Sequence, residues 1–283
     1  MARLSMNEMT TYRWSFEEDV AQYAAAGIKG IGVWRQKIAD FGEEKGVELL
    51  AESGLEVSNV LWAGGFTGSD GRTLRESIDD ALEAIRLTAE LKADCLIVYS
   101  GARAGHTHNH ARRLVIEALR ELLPAAATQQ VTLAVEPMHL GCAAEWTFLT
   151  SIDDALGLIE TLAQPGLKIA FDTYHFGRQE EIVERLPMLA NQIAVVHLGD
   201  CKSPPQVEQN RSRLGDGCVP LKEIVSALTR AGYDGYYDVE LMGEEIEISD
   251  YRDLLEQSKN AFAQLVGCKA AHGSTTIGGM TDK

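Results

Sequence analysis

Long apolar runs, cysteine pairs, an excess of cationic residues and a glycine-rich phosphate loop are all missing from this chain, and each absence removes a class of function. No stretch reaches the ~18 apolar residues that a membrane-crossing helix needs. The opening segment MARLSMNEMTTYRW lacks the apolar core of an export signal. The five cysteines, Cys95, Cys142, Cys201, Cys218 and Cys268, are scattered, odd in number and form no CxxC pair. Neither a disulfide framework nor a zinc ribbon is therefore expected, and the reducing cytoplasm is the expected compartment. Lys and Arg total 26 against 42 Asp and Glu, a net charge of −16, which repels nucleic-acid backbones and anionic lipid alike. Neither partner is expected. The segment after the first strand-like run, TTYRWSF, contains no glycine, which argues against an open doubly wound sheet with its phosphate-binding turn.

What remains is a chain of 283 residues, 45% hydrophobic, enough for one large core. A β/α barrel of about 250 residues fits without a second domain. Short apolar runs near 4–9, 30–34, 56–63, 95–101, 132–137, 167–175, 193–200 and 236–242 alternate with amphipathic stretches, as when parallel strands are joined by crossover helices. Ser15 with Glu18 reads as a capping box at the first helix. Ile78, Leu82, Ile85 and Leu91 are spaced as one face of a helix lying on a sheet, and Gly232 follows PLKEIVSALTRAG where a left-handed cap is wanted. The fold class expected is α/β, a single (β/α)8 barrel over residues 1–267, followed by a small, polar, flexible tail at 268–283.

Four of the later strand-like runs finish on residues that can bind a metal. VTLAVEP ends at Glu136, LKIAFDTYH carries Asp172 and His175, IAVVHLGD carries His197, and YYDVELM carries Glu240. In a closed barrel the carboxyl ends of all strands open on one face, so Glu136, Asp172, His197 and Glu240 should converge there. Three carboxylates and an imidazole suit one hard or borderline divalent ion, Mn²⁺, Mg²⁺ or Co²⁺, with Zn²⁺ a further choice, and the lack of thiolates argues against a structural zinc. Trp34, Trp62 and Trp146 fall at or just past strand ends, where flat apolar faces can wall a sugar ring or pack against loops. His106, His108 and His110 have no local carboxylate or cysteine and read as loop or helix-start residues, and His139 stands close behind Glu136.

These motifs resemble the xylose isomerase-like TIM-barrel superfamily, the sugar phosphate isomerase/epimerase group with the ketose 3-epimerases, inosose dehydratases and endonuclease IV. The resemblance runs from Leu4 to about Val266. It rests on Glu136, Asp172-x-x-His175, His197-x-x-Asp200, Glu240, and an arginine before a Gly-x-Gly turn in RSRLGDG, Arg211 in preference to Arg213. It implies a divalent-metal-dependent sugar isomerase or epimerase in which Glu136 and Glu240 bind the ion and form the acid/base pair on opposite faces of the substrate carbon. His175 would contact a hydroxyl or carbonyl oxygen, and Arg211 would grip a hydroxyl or phosphate. It also makes a homodimer or tetramer an expectation.

Two other readings stand beside this one. Proton removal next to a carbonyl followed by loss of hydroxide would make the protein a dehydratase of an inosose or related keto-sugar. A metal-carrying barrel that binds a sugar or partner without catalysis is the third. The nuclease branch is disfavoured, because the second and third strands end in VWR and LWAGG and the loop after the seventh offers RSR, without the extra histidines of three-zinc nucleases. A further glutamate that ketose 3-epimerases carry after the fifth strand has only Glu145 as a counterpart, in a loop of different length.

Overall fold

The computed structural model describes residues 2–267. The expected tail at 268–283 and Cys268 lie outside them. Eight parallel strands close into one barrel in sequence order, each paired with the next and the eighth with the first. They are β1 (Arg3–Asn7), β2 (Gly30–Trp34), β3 (Glu56–Gly64), β4 (Cys95–Tyr99), β5 (Thr132–Val135), β6 (Leu167–Asp172), β7 (Ile193–Leu198) and β8 (Tyr236–Val239). The α/β class and the (β/α)8 architecture expected from the alternation are what the chain adopts. Among the described residues no helix is long and apolar enough to cross a membrane.

The helices cover the barrel with their apolar faces. Ser15 and Glu18 form the capping box at Phe16–Ala25, with Glu18 N–H donating to Ser15 Oγ at 3.2 Å and Ser15 N–H to Glu18 Oε2 at 2.9 Å. Ile78 and Ile85 on helix Leu74–Glu90 are buried, each such side chain contributing roughly 1.5–3 kcal/mol through removal from water. Gly232, at φ 83°, turns the chain out of Leu221–Arg230. Two crossovers and the segment after β8 hold two helices rather than the single one that periodicity suggested: Arg35–Phe41 with Glu43–Ser53, Thr173–Phe176 with Ile182–Leu189, and Glu244–Glu247 with Tyr251–Gly267.

Strand alternation sorts the side chains into two cores. Val135, Phe171, Val196 and Val239 face outward into the large cluster beneath the helices, whereas Ala134, Ala170, Val195 and Tyr236 belong to a separate cluster inside the barrel. Because alternate residues share a face, the inward position two residues after each of these falls at Glu136, Asp172, His197 and Asp238. Several strands are shorter than the apolar runs suggested. β5 stops before Pro137, which has no N–H to extend a ladder. β6 stops at Asp172, whose carboxylate accepts the N–H groups of Tyr174 (2.6 Å) and His175 (3.4 Å) and so caps the turn Thr173–Phe176. The shortening leaves Glu136 and Glu240 one residue past their strands, at the barrel mouth.

Candidate metal centre and substrate cleft

Each of the four residues is held by its own strand. Glu136 N–H still donates to Val98 O at 3.0 Å and Glu240 N–H to Leu198 O at 3.2 Å, so the strand pairing carries one residue onto the mouth. Asp172 and His197 are direct partners across β6 and β7. One potential ligand atom from each of Glu136, Asp172, His197 and Glu240 lies within 4.8 Å of the others, and all four residues are buried.

The imidazole sits between the glutamates, with His197 Nδ1 2.9 Å from Glu136 Oε1 and 3.0 Å from Glu240 Oε2. Arg211 balances the other side, its Nη2 donating to Asp172 Oδ2 at 2.6 Å and lying 3.7 Å from Glu240 Oε2. Its guanidinium also lies over the Tyr174 ring, 4.7 Å from the centroid. Within the protein's own charges the two glutamates diverge. Burial pushes the Glu136 carboxyl up, opposed incompletely by His197. Burial acts on Glu240 in the same direction, but Arg211 and His197 outweigh it and hold the group at about 2. Burial also lowers the His175 imidazole to about 4, leaving it neutral at ordinary pH.

Arg211 reaches this position because Asp200 folds the loop after β7. Its carboxylate accepts the N–H groups of Cys201, Gly215, Gly217 and Val219, at 2.8 to 3.1 Å. A Cβ on Gly217 would meet Asp200 Oδ1 at 2.1 Å, so this turn requires glycine. Arg211 N–H then pairs with Met242 O at 2.8 Å beside β8. Arg213, two residues on, donates instead to Ser249 Oγ at 3.2 Å.

The cluster forms one wall of a cleft. Glu136, Glu240, His175 and Arg211 line it together with Trp62 and Trp146. The aromatic side is built by contact: Trp62 meets Trp146 edge to face at 5.6 Å, and Tyr99 lies 6.1 Å from Trp146. Trp34 stands further out, stacked on Trp62 at 6.4 Å and lining an adjoining cleft. Sequence reasoning passed over Tyr99, Met9, Met138, Met242 and Gln209, which also line the cleft. Four of them had a signal available, since Tyr99 ends β4 and Met9, Met138 and Met242 lie two or three residues past β1, β5 and β8. Gln209 had none.

Other sequence candidates fall elsewhere. Thr107 caps the helix that His108 begins, and the rings of His106 and His110 meet edge to face at 4.7 Å. His139 Nδ1 accepts Gly141 N–H at 3.0 Å. Glu145 is exposed in a short 3₁₀ turn.

The donor set fits a divalent cation. Three carboxylates in one buried group repel one another, and the protein itself offsets them with one guanidinium and one imidazole. His197 Nδ1 faces both glutamates, and its Nε2 is buried without a partner. Buried polar atoms around it also lack partners, namely His175 Nδ1, Arg211 Nε and Arg211 Nη1. Such groups are rare unless a site calls for them.

Comparison with known proteins places this geometry in context. The profile of the xylose isomerase-like TIM barrel family matches residues 20–263. The L-ribulose-5-phosphate 3-epimerase UlaE of Escherichia coli K12 is 30% identical over 212 residues, covering 71% of this chain and 70% of its own. A crystal structure of a protein from Sinorhizobium meliloti 1021 superposes with a TM-score of 0.85 at 28% identity, over 93% of this chain and 98% of that one. The IOLI protein, solved with a binding zinc atom, has the same fold with a TM-score of 0.81 at 18% identity, over 94% and 98% of the two chains.

Proposed function

From the premise that the chain belongs to the xylose isomerase-like TIM barrel family, we propose that it is a divalent-metal-dependent sugar isomerase or epimerase that abstracts a proton next to the carbonyl of a ketose-like substrate. The observation that carries this reading is the convergence of Glu136, Asp172, His197 and Glu240, from four consecutive strands, within 4.8 Å. The named activity of the E. coli relative, a 3-epimerase of a ketose phosphate, supports the same reaction class.

Glu136, Asp172, His197 and Glu240 would hold the ion, Mn²⁺, Mg²⁺ or Co²⁺ by donor hardness and Zn²⁺ by analogy with the IOLI protein. When bound, it would polarise the substrate oxygens and stabilise the charge that develops on them. The protein's own groups supply the rest. Glu136 and Glu240 both line the cleft and each keeps one carboxylate oxygen outside its contact with His197. One removes the proton from the carbon beside the carbonyl, and the other delivers a proton to the opposite face, inverting that centre. His175 and Arg211 line the cleft and carry buried nitrogens without partners, and they would orient hydroxyl and carbonyl oxygens there. Trp62 covers the sugar and excludes water, with Trp34 supporting it from behind.

The test is deuterium wash-in from D2O into ketoses, next to the carbonyl, with purified protein. Exchange that a chelator removes and Mn²⁺ or Co²⁺ restores is expected, with Glu240→Gln folded but inactive. A product lighter by one water would assign the dehydratase alternative, and full exchange in metal-free protein would overturn the metal-dependent mechanism.

A further inference from the structure

The charge inventory of the cleft points to its substrate class. We infer that this site selects an unphosphorylated sugar, held with its carbonyl end at Glu136 and Glu240 and an apolar face against Trp62, Tyr99 and Trp146. The inference rests on the reading of the cleft as a sugar site.

Three places at or beside the cleft could receive a phosphate. The basic side chains of the cleft and its neighbours, Arg211, Lys202, Arg35 and Arg72, are paired with carboxylates. Arg13 and Arg213, bonded to Ser249 instead, do not line the cleft. Inside the cleft Arg211 is the only basic side chain among the described lining residues. It is committed to Asp172 at 2.6 Å and stands 3.7 Å from Glu240. A phosphate drawn to it would have to compete with Asp172 for the guanidinium.

The second place is the one (β/α)8 barrels often use, where the loops after the seventh and eighth strands meet a short extra helix. Here that helix is Glu244–Glu247, sequence EEIE, with three glutamates in its single turn. Its Glu244 N–H already donates to Asn210 Oδ1 at 3.1 Å. Lys202, from the loop after β7, is bound to both carboxylate oxygens of Glu245, at 2.9 and 2.7 Å.

The adjoining cleft beyond Trp62 holds two arginines, and both guanidinium forks are occupied. Arg35 binds both oxygens of Asp80 and the Trp62 carbonyl. Arg72 binds Asp70, Asp80 and the Gly64 carbonyl. Two guanidinium charges thus meet two carboxylate charges, and no net positive field is left for an anion.

The remaining walls are apolar: Met9, Leu61, Ile97, Met138 and Met242 stand beside the two tryptophans. They suit the C–H face of a sugar or a deoxygenated end, and they offer nothing to a dianion. Bringing a phosphate against these apolar walls strips it of water with no free basic side chain to pair it, a cost that the free sugar does not meet.

The experiment uses Mn²⁺-loaded protein and matched pairs of substrates: ketopentoses and ketohexoses, each as the free sugar and as its terminal phosphate monoester. Deuterium wash-in should favour the free sugar of the reactive pair by roughly a hundredfold or more in kcat/KM, the scale of leaving a buried charge unpaired. Inorganic phosphate should not inhibit. Equal or faster exchange with the phosphate ester overturns the inference while leaving the isomerase reading intact. If neither member exchanges, the isomerase reading fails, and quenching of tryptophan fluorescence by the same pairs decides the inference separately. Binding of the free sugar alone supports it; equal or tighter binding of the ester, or binding of neither, overturns it.

Discussion

Asp238 and Glu240 occupy successive inward positions at the end of β8, yet their surroundings differ in kind. Asp238 is fully buried and surrounded by neutral donors from β1 and β3. Ser5 Oγ donates to Oδ1 at 2.6 Å, while Asn7 Nδ2 and Asn59 Nδ2 donate to Oδ2 at 2.7 and 2.8 Å. Ser58 Oγ lies 3.4 Å from Oδ1. Both carboxylate oxygens are satisfied, and the group ties β8 to β1 and β3. Glu240, two residues further, meets charged groups instead, His197 and Arg211, in a cluster whose imidazole and guanidinium nitrogens are left partly unpaired. A buried carboxylate with both oxygens supplied is a cross-link, whereas one among other carboxylates and unpaired donors leaves buried polar groups still to be satisfied.

The comparison breaks most sharply if Asp238 and Glu136, which shares the cluster with Glu240, respond alike to mutation. Glu136→Gln keeps the shape of the side chain and lessens repulsion among the three carboxylates. Turnover should fall by roughly 10²–10⁴, the usual contribution of a positioned acid or base, while the thermal midpoint stays near that of the wild type. Asp238→Ala should do the reverse, leaving several buried donors without an acceptor. A loss of about 3 kcal/mol is expected, or roughly 6–12 °C in Tm for a chain of this size, read by calorimetry. A variant at position 238 that kept its Tm would remove the distinction drawn here.

A smaller effect comes from a third buried set, at the end of β1. Lys37 Nζ donates to Asp19 Oδ2 at 2.5 Å and to the carbonyls of Glu8 and Thr11. Burial lifts the Asp19 carboxyl from 3.8 to about 6 against the pull of Lys37, and lifts Glu8 well above its ordinary value. A raised folded-state value means the native protein binds the proton more tightly than the unfolded chain. The associated stabilisation is complete below about 4 and is lost as pH rises through about 6. Asp19→Asn should flatten this part of the profile, so that wild type minus variant stability, from urea midpoints, declines between those two pH values.

Much of this was legible in one dimension. The eight apolar runs, the capping box at Ser15 and Glu18, and the left-handed position at Gly232 are local signals. Glu136, Asp172, His197 and Glu240 could be named as candidates because each follows its run at the strand end. The strand limits were less legible. Asp172 ends β6 with a side-chain cap on the next turn, where apolar character continues through Tyr174. Arg211 and Arg213 look alike in RSR, and only the loop path through Asp200 and Gly217 directs one to the cluster and the other to Ser249. The methionine walls had only their place just past strand ends to mark them, since their side chains are those of ordinary core residues.

The order of residues alone determined the class of fold and the sites where chemistry could gather, because period-two alternation and helical spacing are properties of neighbouring residues. Barrel closure decided which candidates meet. It joins Ser5 and Asn7 to Asp238 across more than 230 positions and makes the mouth of β5–β8 a single buried group. Contacts of that range depend on register and on the paths of distant loops, which local spacing does not encode.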